Sequence, residues 1–305
     1  MTLPVSHIIV GVADMAPVRS LWCDRFGLEV VAEGQGSDAA LEALWGLKPG
    51  SIVAQLLVRT PARDSGWLHF VQFSNPEPPV REGAAATDWC PKNIDVNCVD
   101  IDSRVAELVS DGHHFRSAVA DSEVDGLSIR EVHMPAHDGI NVVLIEIPDW
   151  SDQLAPHHYG AVTSFVTVVP DAQAEQAFYV DILGLASLIQ HRLEGAAIEQ
   201  MIGLPPGAAL ELQVLGDAEN IFGRIELISY VGQPGADLYR RARPPATGSL
   251  GARFRVDDLA AFLDRAAIAN MAVRDAGVVE LIFGRCHLLT LRSPAGFCIE
   301  VFAPC

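Results

Sequence analysis

Two histidines and three glutamates stand inside otherwise apolar, strand-like runs, and these are the residues equipped for chemistry. His7 lies in Val5–Val12, where alternation places His7, Ile9 and Gly11 on one face. His69 sits in Leu68-His69-Phe70, and the glutamates occupy Ile145-Glu146-Ile147, Ile225-Glu226-Leu227 and Ile299-Glu300-Val301. A carboxylate inside an apolar strand is costly unless it faces water, a metal or a partner group. An isolated strand histidine is more often a hydrogen-bonded core residue than a ligand, so His7 alone carries little. His133 and His137 (Val-His-Met-Pro-Ala-His-Asp-Gly) could act as acid or base at a cavity mouth, but a solvated turn is the simpler reading. His113-His114 follow a helix, where positive charge suits the C-terminus, and His157-His158 sit in a polar junction; none of these is assigned to a site. Gln72 and Tyr179 read as packing or surface residues. No P-loop, nucleophile elbow or dinucleotide fingerprint is present.

The elements that position these residues repeat. After the opening strand, Asp14 starts a turn into a helix, and related strand-to-Asp patterns recur at Asn93–Asp100, Ser164–Asp171 and Gly251–Asp258. The first unit reads as strand, helix (about 17–26, ended by Gly27) and three strand-like runs at 28–32, 52–58 and 67–73. A proline-bearing linker (75–86) precedes a second unit, and a polar junction covers 149–157. The third unit copies the first without a gap. His7 maps to Ser164, Asp14 to Asp171, Gly27 to Gly184, Gly46 to Gly203, Gly50 to Gly207 and Phe73 to Tyr230, each 157 residues apart. That register marks a duplication. The fourth unit copies the second less strictly, with Asn93 to Gly251 and Asp100 to Asp258 both 158 apart. Each unit reads β-α-β-β-β. The expected organisation is an N-terminal pair within 1–150 (units at about 1–80 and 90–148) and a C-terminal pair within 158–305 (about 158–232 and 249–305). A sheet of three or four strands with one covering helix leaves an apolar inner face, and two units together can wrap it around a cavity.

A chain of 305 residues suffices for two ordinary domains. Half of it is hydrophobic and a fifth is charged, the balance of a soluble globular protein. Twenty-one Lys and Arg against 39 Asp and Glu leave a net charge of −18, which disfavours nucleic acid and anionic membrane surfaces as partners and would tolerate cationic ligands. The start of the chain shows no signal-peptide pattern, and no apolar run approaches the roughly 20 residues of a membrane helix, so a cytoplasmic protein is expected. The six cysteines form no CxxC pair and read as reduced thiols, Cys305 being the most reactive candidate.

Together, the His-strand-Asp openings, the segment Ala177-Phe178-Tyr179-Val180-Asp181-Ile182-Leu183-Gly184-Leu185 (echoed at 21–28) and the closing Ile-Glu strands resemble the vicinal oxygen chelate superfamily. That superfamily includes glyoxalase I, bleomycin- and fosfomycin-resistance proteins and extradiol dioxygenases. The resemblance covers essentially the whole chain. It implies an α+β fold of four βαβββ modules forming two domains, with curved mixed sheets around cavities. It also implies metal ligands on the first and last strands of a module. The first-strand positions would be His7, Asn93, Ser164 and Gly251, and the last-strand positions His69, Glu146, Glu226 and Glu300. Two imidazoles and one carboxylate make a competent site for one divalent ion (Fe, Zn, Mn or Ni) with positions open for an oxygen-rich substrate. The carboxylate would be Glu146 if the first and second units share a cavity, the simpler arrangement, or Glu300 if the first and fourth do. Glu146 would also be the catalytic carboxylate, with Asn93 a substrate contact. Three functions compete: a glyoxalase-like isomerase or lyase moving a proton next to a carbonyl, an Fe(II) extradiol-type dioxygenase, and a metal-free small-molecule binding or resistance protein. The third and fourth units carry no imidazole at these positions, unlike the extradiol dioxygenases. The expected partner is a small-molecule substrate, and exposed sheet edges make a homodimer possible.

Overall fold

Four first strands, each free to pair along one edge, set the architecture of the chain. The computed structural model describes residues 2–124, 126–149 and 158–305, so most of the junction expected at 149–157, including His157, lies outside the described residues. The first unit comprises β1 (Thr2–Val12), α1 (Met15–Val18, running on as a π-helical segment Arg19–Arg25), β2 (Glu29–Gln35), α2 (Ala39–Trp45), β3 (Ile52–Arg59) and β4 (Trp67–Phe73). The second comprises β5 (Cys90–Cys98), α3 (Ile101–Ser110), β6 (Ala120–Val124), β7 (Leu127–Pro135) and β8 (Asn141–Glu146). The third holds β9 (Tyr159–Val168), α4 (Ala172–Ala177, continued by Phe178–Ile182), β10 (Ala186–Glu194), α5 (Ala196–Ile202), β11 (Ala209–Asp217) and β12 (Asn220–Val231). The fourth holds β13 (Gly248–Val256), α6 (Leu259–Ile268), β14 (Arg274–Leu281), β15 (Gly284–Arg292) and β16 (Cys298–Pro304). The α+β class and the four modules are as expected.

The pairing of units is not. One curled sheet runs β14-β15-β16-β13-β1-β4-β3-β2 and the other β10-β11-β12-β9-β5-β8-β7-β6. The first unit therefore joins the fourth, and the second joins the third, through the antiparallel pairs β1–β13 and β5–β9. Sequential halves do not describe the sheets. Either pairing would satisfy the same strand edges, so the repeat register cannot choose between them. The linkers 77–89 and 236–247 run side by side, with Glu77 N–H donating to Pro245 C=O and Val80 N–H to Thr247 C=O at 2.9 Å, and Leu238 N–H to Trp89 C=O at 3.0 Å.

A pseudo-twofold relation between the sheets preserves the duplication in space. Gly66 and Gly223, 157 residues apart, face one another with φ of +68° and +70°. A Cβ on Gly66 would stand 2.7 Å from Val162 O, and one on Gly223 would stand 2.7 Å from Val5 O, so only glycine fits at either position. The neighbouring Ser65 hydroxyl donates to Phe222 C=O at 3.1 Å.

Alternation splits each sheet into two faces. Outer-face residues Ile8, Val10, Phe70, Ile94, Phe165 and Phe254 pack with Trp22, Phe26, Phe178, Tyr179 and Phe262 of the helices in one continuous core. Asp14, Asp171 and Asp258 cap their helices through side-chain hydrogen bonds from backbone N–H groups at 2.9–3.0 Å. The inner faces are partly filled by α2 and α5, helices the sequence reading did not anticipate. Leu41 and Leu44 pack on Ile9, Ile52 and Val71, while Ile198, Met201 and Ile202 pack on Val166, Leu210 and Ile228. Glycines with left-handed φ, Gly46 and Gly203, end both helices.

Candidate functional site

Strand register decides which expected residues meet. His7 stands opposite Arg253 across β1–β13, Ile9 beside His69, and Arg253 beside Glu300. Residues in register share a face, so His7, His69, Arg253 and Glu300 converge on the inner face of the first sheet. They are almost completely buried, Arg253 and Glu300 at 0% exposure. Gly251 instead pairs with Ile9, leaving the place opposite His7 to Arg253, two residues on. Nothing in the repeat register flagged Arg253. The signal available was a charge in the buried phase of Leu250–Val256.

A directed chain of hydrogen bonds crosses this site. Gln55 Nε2 donates to Asp38 Oδ2 at 2.9 Å, which turns Gln55 Oε1 toward His69 Nε2, also at 2.9 Å. Arg253 Nη1 lies 2.7 Å from His69 Nδ1, and Arg253 Nε donates to Glu300 Oε2 at 2.6 Å. Trp45 Nε1 donates to Glu300 Oε1 at 2.8 Å. A guanidinium only donates and an amide oxygen only accepts, so His69 carries its proton on Nε2 and gives its one lone pair to Arg253. Burial, and then the Arg253 charge, hold His69 well below the usual histidine range; the same causes hold His7 there. Neither ring nitrogen of His7 has a hydrogen-bond partner, and its ring packs among Trp67, Phe283 and Phe302 at centroid distances of 5.2, 4.7 and 5.6 Å. The expected metal set does not fit an ion as arranged. The His69 lone pair and both Glu300 oxygens are already engaged, and a positive charge sits between them. Among the described residues, no group of three or more His, Cys, Asp or Glu is arranged to hold a metal.

Glu146 is not part of this site. Because the second unit pairs with the third, Glu146 belongs to the other sheet. On β8 it points away from the inner face, accepting from Asp100 N–H at 2.6 Å and pairing with Arg130 at 3.3 Å. There it supplies the helix cap that Asp100, at φ 56°, does not make with its own side chain. Of the two alternatives for the third ligand position, the sheet pairing brings Glu300, not Glu146, to the two histidines.

The second sheet holds a different constellation. A cavity of about 60 Å³ is lined by Lys92, Asn93, Asp95, Glu131, His133 and Glu226 together with apolar side chains. It shares Lys92, Asn93 and His133 with a cleft of about 300 Å³ to which Arg81, Arg116 and Asn141 contribute. It shares Glu131 and Glu226 with an inner, mainly apolar space of about 70 Å³ walled by Ile129, Ile145, Ile189 and Val214. Asp95 stands opposite Ser164, again two residues beyond the expected first-strand position Asn93. Asn93 itself lines the cavity, with its Oδ1 accepting from Asn141 Nδ2 at 2.9 Å. The same Asn141 amide faces His133 Nδ1 at 3.2 Å. His133 is therefore a buried wall residue, and the solvated-turn reading of it is corrected. His137 lies elsewhere, accepting from Trp22 Nε1 at 2.9 Å.

Crowding of like charges tunes this cavity. Burial first, then Glu226 and Glu131, push the Asp95 carboxyl well above the ordinary range, and its Oδ1 has no hydrogen-bond partner. Burial, with Glu226, pushes Glu131 up to about 7. Burial also raises Glu226, against the pull of the Ser164 hydroxyl and Arg224. Lys92, which donates to the Tyr230 hydroxyl, is brought down to about 7 by burial and the Arg81 charge. Burial lowers His133 to about 3, helped by Lys92 and Arg116. Like charges that cannot all ionise force a shared proton onto the cluster. The raised Asp95 and Glu131 carboxyls line one cavity.

No family model matches the sequence, and no curated protein matches it. Solved structures do match in fold. A single-substitution variant of glyoxalase I from Zea mays superposes with a TM-score of 0.69 at 13% identity, covering 98% of this chain and 92% of that one. The parent Zea mays glyoxalase I gives 0.68 at 11% identity with the same coverage. A proposed dioxygenase from Bacillus subtilis gives 0.62 at 13% identity, covering 99% of this chain and 85% of that one. At such identity these likenesses establish architecture and not chemistry. This chain shares the fold of these solved structures along essentially its whole length.

Proposed function

We propose that the protein is an enzyme moving a proton next to a carbonyl, of the isomerase or lyase type, with its active centre in the cavity of the second sheet. The observation that carries this reading is that Asp95 and Glu131, two carboxyls raised by burial and by their acidic neighbours, line one cavity. A base works best when its pKa lies near the working pH, and a neutral buried carboxyl can donate a hydrogen bond to the oxyanion that forms. Glu131 would abstract the proton and Asp95 would stabilise the enolate oxygen. The guanidiniums of Arg81 and Arg116 at the cleft, with the partly protonated Lys92, favour a substrate carrying a carboxylate or phosphate, despite the chain's net charge of −18. The apolar inner space would take an aliphatic tail. No step is assigned to a metal ion, because His69 and Glu300 are engaged with the Arg253 guanidinium and Glu146 lies on the other sheet.

Short 2-oxo acids in deuterated buffer, followed by proton NMR, provide the test. Wild-type protein is expected to accelerate deuterium exchange at C3. Glu131→Gln should lower kcat by at least about 100-fold, and Lys92→Met should act mainly on KM. Exchange that survives Glu131→Gln unchanged would refute the assignment. Saturable binding of such acids without exchange would make the protein a binding module instead.

A further inference from the structure

At the centre of the first sheet, the chain supplies its own cation. We infer that the Arg253 guanidinium stands in for a divalent ion among His7, His69 and Glu300, so that the wild-type site is self-filled and indifferent to metal, and that shortening this one side chain uncovers a latent metal site. Geometry argues for substitution rather than coincidence. Arg253 lies directly across the β1–β13 ladder from His7 and beside Glu300 on β16, so its side chain enters the space on which the three potential ligands face. It hydrogen-bonds two of them, at 2.7 and 2.6 Å, and stacks its guanidinium 5.0 Å from the Phe283 ring centroid.

The electrostatics follow the same logic. A buried carboxylate and two neutral imidazoles with inward lone pairs would leave Glu300 uncompensated, and one positive charge offsets it. The guanidinium can only donate, so it takes up the electron pairs a metal would otherwise use. Its two partners are themselves tied to the ends of α2, His69 through Gln55 and Asp38 and Glu300 through Trp45. Arg253 Nη2 and both nitrogens of His7 are buried without a hydrogen-bond partner, and Phe283 packs against both side chains. Once the guanidinium is gone, His7 and His69 each have a free lone pair and Glu300 has its Oε2, with Oε1 still held by Trp45, a two-imidazole, one-carboxylate set with room for solvent ligands.

Equilibrium dialysis with Co²⁺ and Zn²⁺, read by metal analysis and cobalt absorption, tests the inference on the full chain. Wild-type protein is expected to retain no stoichiometric metal and to show no melting-temperature shift with either ion. Arg253→Ala should retain one equivalent with a tetrahedral or five-coordinate cobalt spectrum, and Arg253→Ala/His69→Ala should lose it. Methylguanidinium should compete with Co²⁺ in Arg253→Ala. One equivalent bound by the wild type and lost in His69→Ala would overturn the inference. So would a folded Arg253→Ala that binds none, or one whose metal persists without His69. If Arg253→Ala does not fold, Arg253→Met with Co²⁺ added during refolding replaces it, and the wild-type arm decides independently.

Discussion

Glu300→Ala should be among the most damaging single changes, and its size follows from what the carboxylate compensates. Glu300 and Arg253 are both at 0% exposure, 2.6 Å apart, and Arg253's other hydrogen-bonding partner is a neutral imidazole. Removing the carboxylate strands a buried guanidinium, for a loss of about 3–5 kcal/mol. Glu300→Gln surrenders the charge and keeps a single oxygen, which can accept from Trp45 or from Arg253 Nε but not from both, and turns an N–H2 donor toward the other donor, so a loss of about 3 kcal/mol or more is expected. Arg253→Met strands the carboxylate and should cost as much as Glu300→Ala. The double variant Arg253→Met/Glu300→Leu removes both charges. It leaves only His69 and Trp45 short of a partner, which cost about 1–3 kcal/mol each, against about 1–4 kcal/mol regained from apolar packing. The double variant should therefore lie within about 2 kcal/mol of wild type, far from the sum of the singles. Urea unfolding followed by tryptophan fluorescence, compared at constant m, measures all four proteins. Single variants costing under about 1 kcal/mol, or effects adding within about 0.5 kcal/mol, would refute the account of a buried charge pair.

Other perturbations separate packing from chemistry. His7→Leu should change stability by less than about 1.5 kcal/mol, because neither ring nitrogen is hydrogen-bonded and the ring lies among aromatics; a loss of several kcal/mol in the same urea assay would show that His7 has a polar role. Gly66→Ala and Gly223→Ala should each cost about 2 kcal/mol or more, combining positive φ with a Cβ 2.7 Å from a carbonyl oxygen; thermal melts that match wild type would disprove the close approach. Glu131 holds its proton up to about 7 in the folded chain, whereas unfolding returns it to the ordinary 4.5. Folded protein therefore binds more protons between those values, and stability falls as pH rises from about 4.5 to 7, by at most about 3 kcal/mol for this group. Glu131→Gln should gain on wild type across that window in pH-dependent unfolding, and parallel curves would contradict the raised carboxyl.

The repeat was legible because it lies in local pattern. Strand alternation, Asp caps and glycine positions at a spacing of 157 specify the four modules, and the caps at Asp14, Asp171 and Asp258 form as read. The same register placed His69 on the inner face beside Ile9. It could not reveal α2 and α5, short helices whose apolar residues gain stability only from the sheets they plug. His133 and Glu131 were hidden by their neighbours, since a strand end before Pro135 reads as a turn until burial is known. Asp95 and Arg253 lay two residues from the positions inspected, a displacement that irregular pairing along β1–β13 and β5–β9 introduces.

Sequence alone determined the module, its fourfold repetition and the face on which His7 and His69 stand, because periodicity and caps are near-neighbour physics. Tertiary structure decided which modules share a sheet, because the backbone groups along a strand edge carry no record of which partner will meet them. That choice took Glu146 away from His7 and His69, brought in Glu300, and placed Arg253 between them. The chemistry of the inner face is set by residues more than 180 positions apart in the chain, whose meeting no local pattern records.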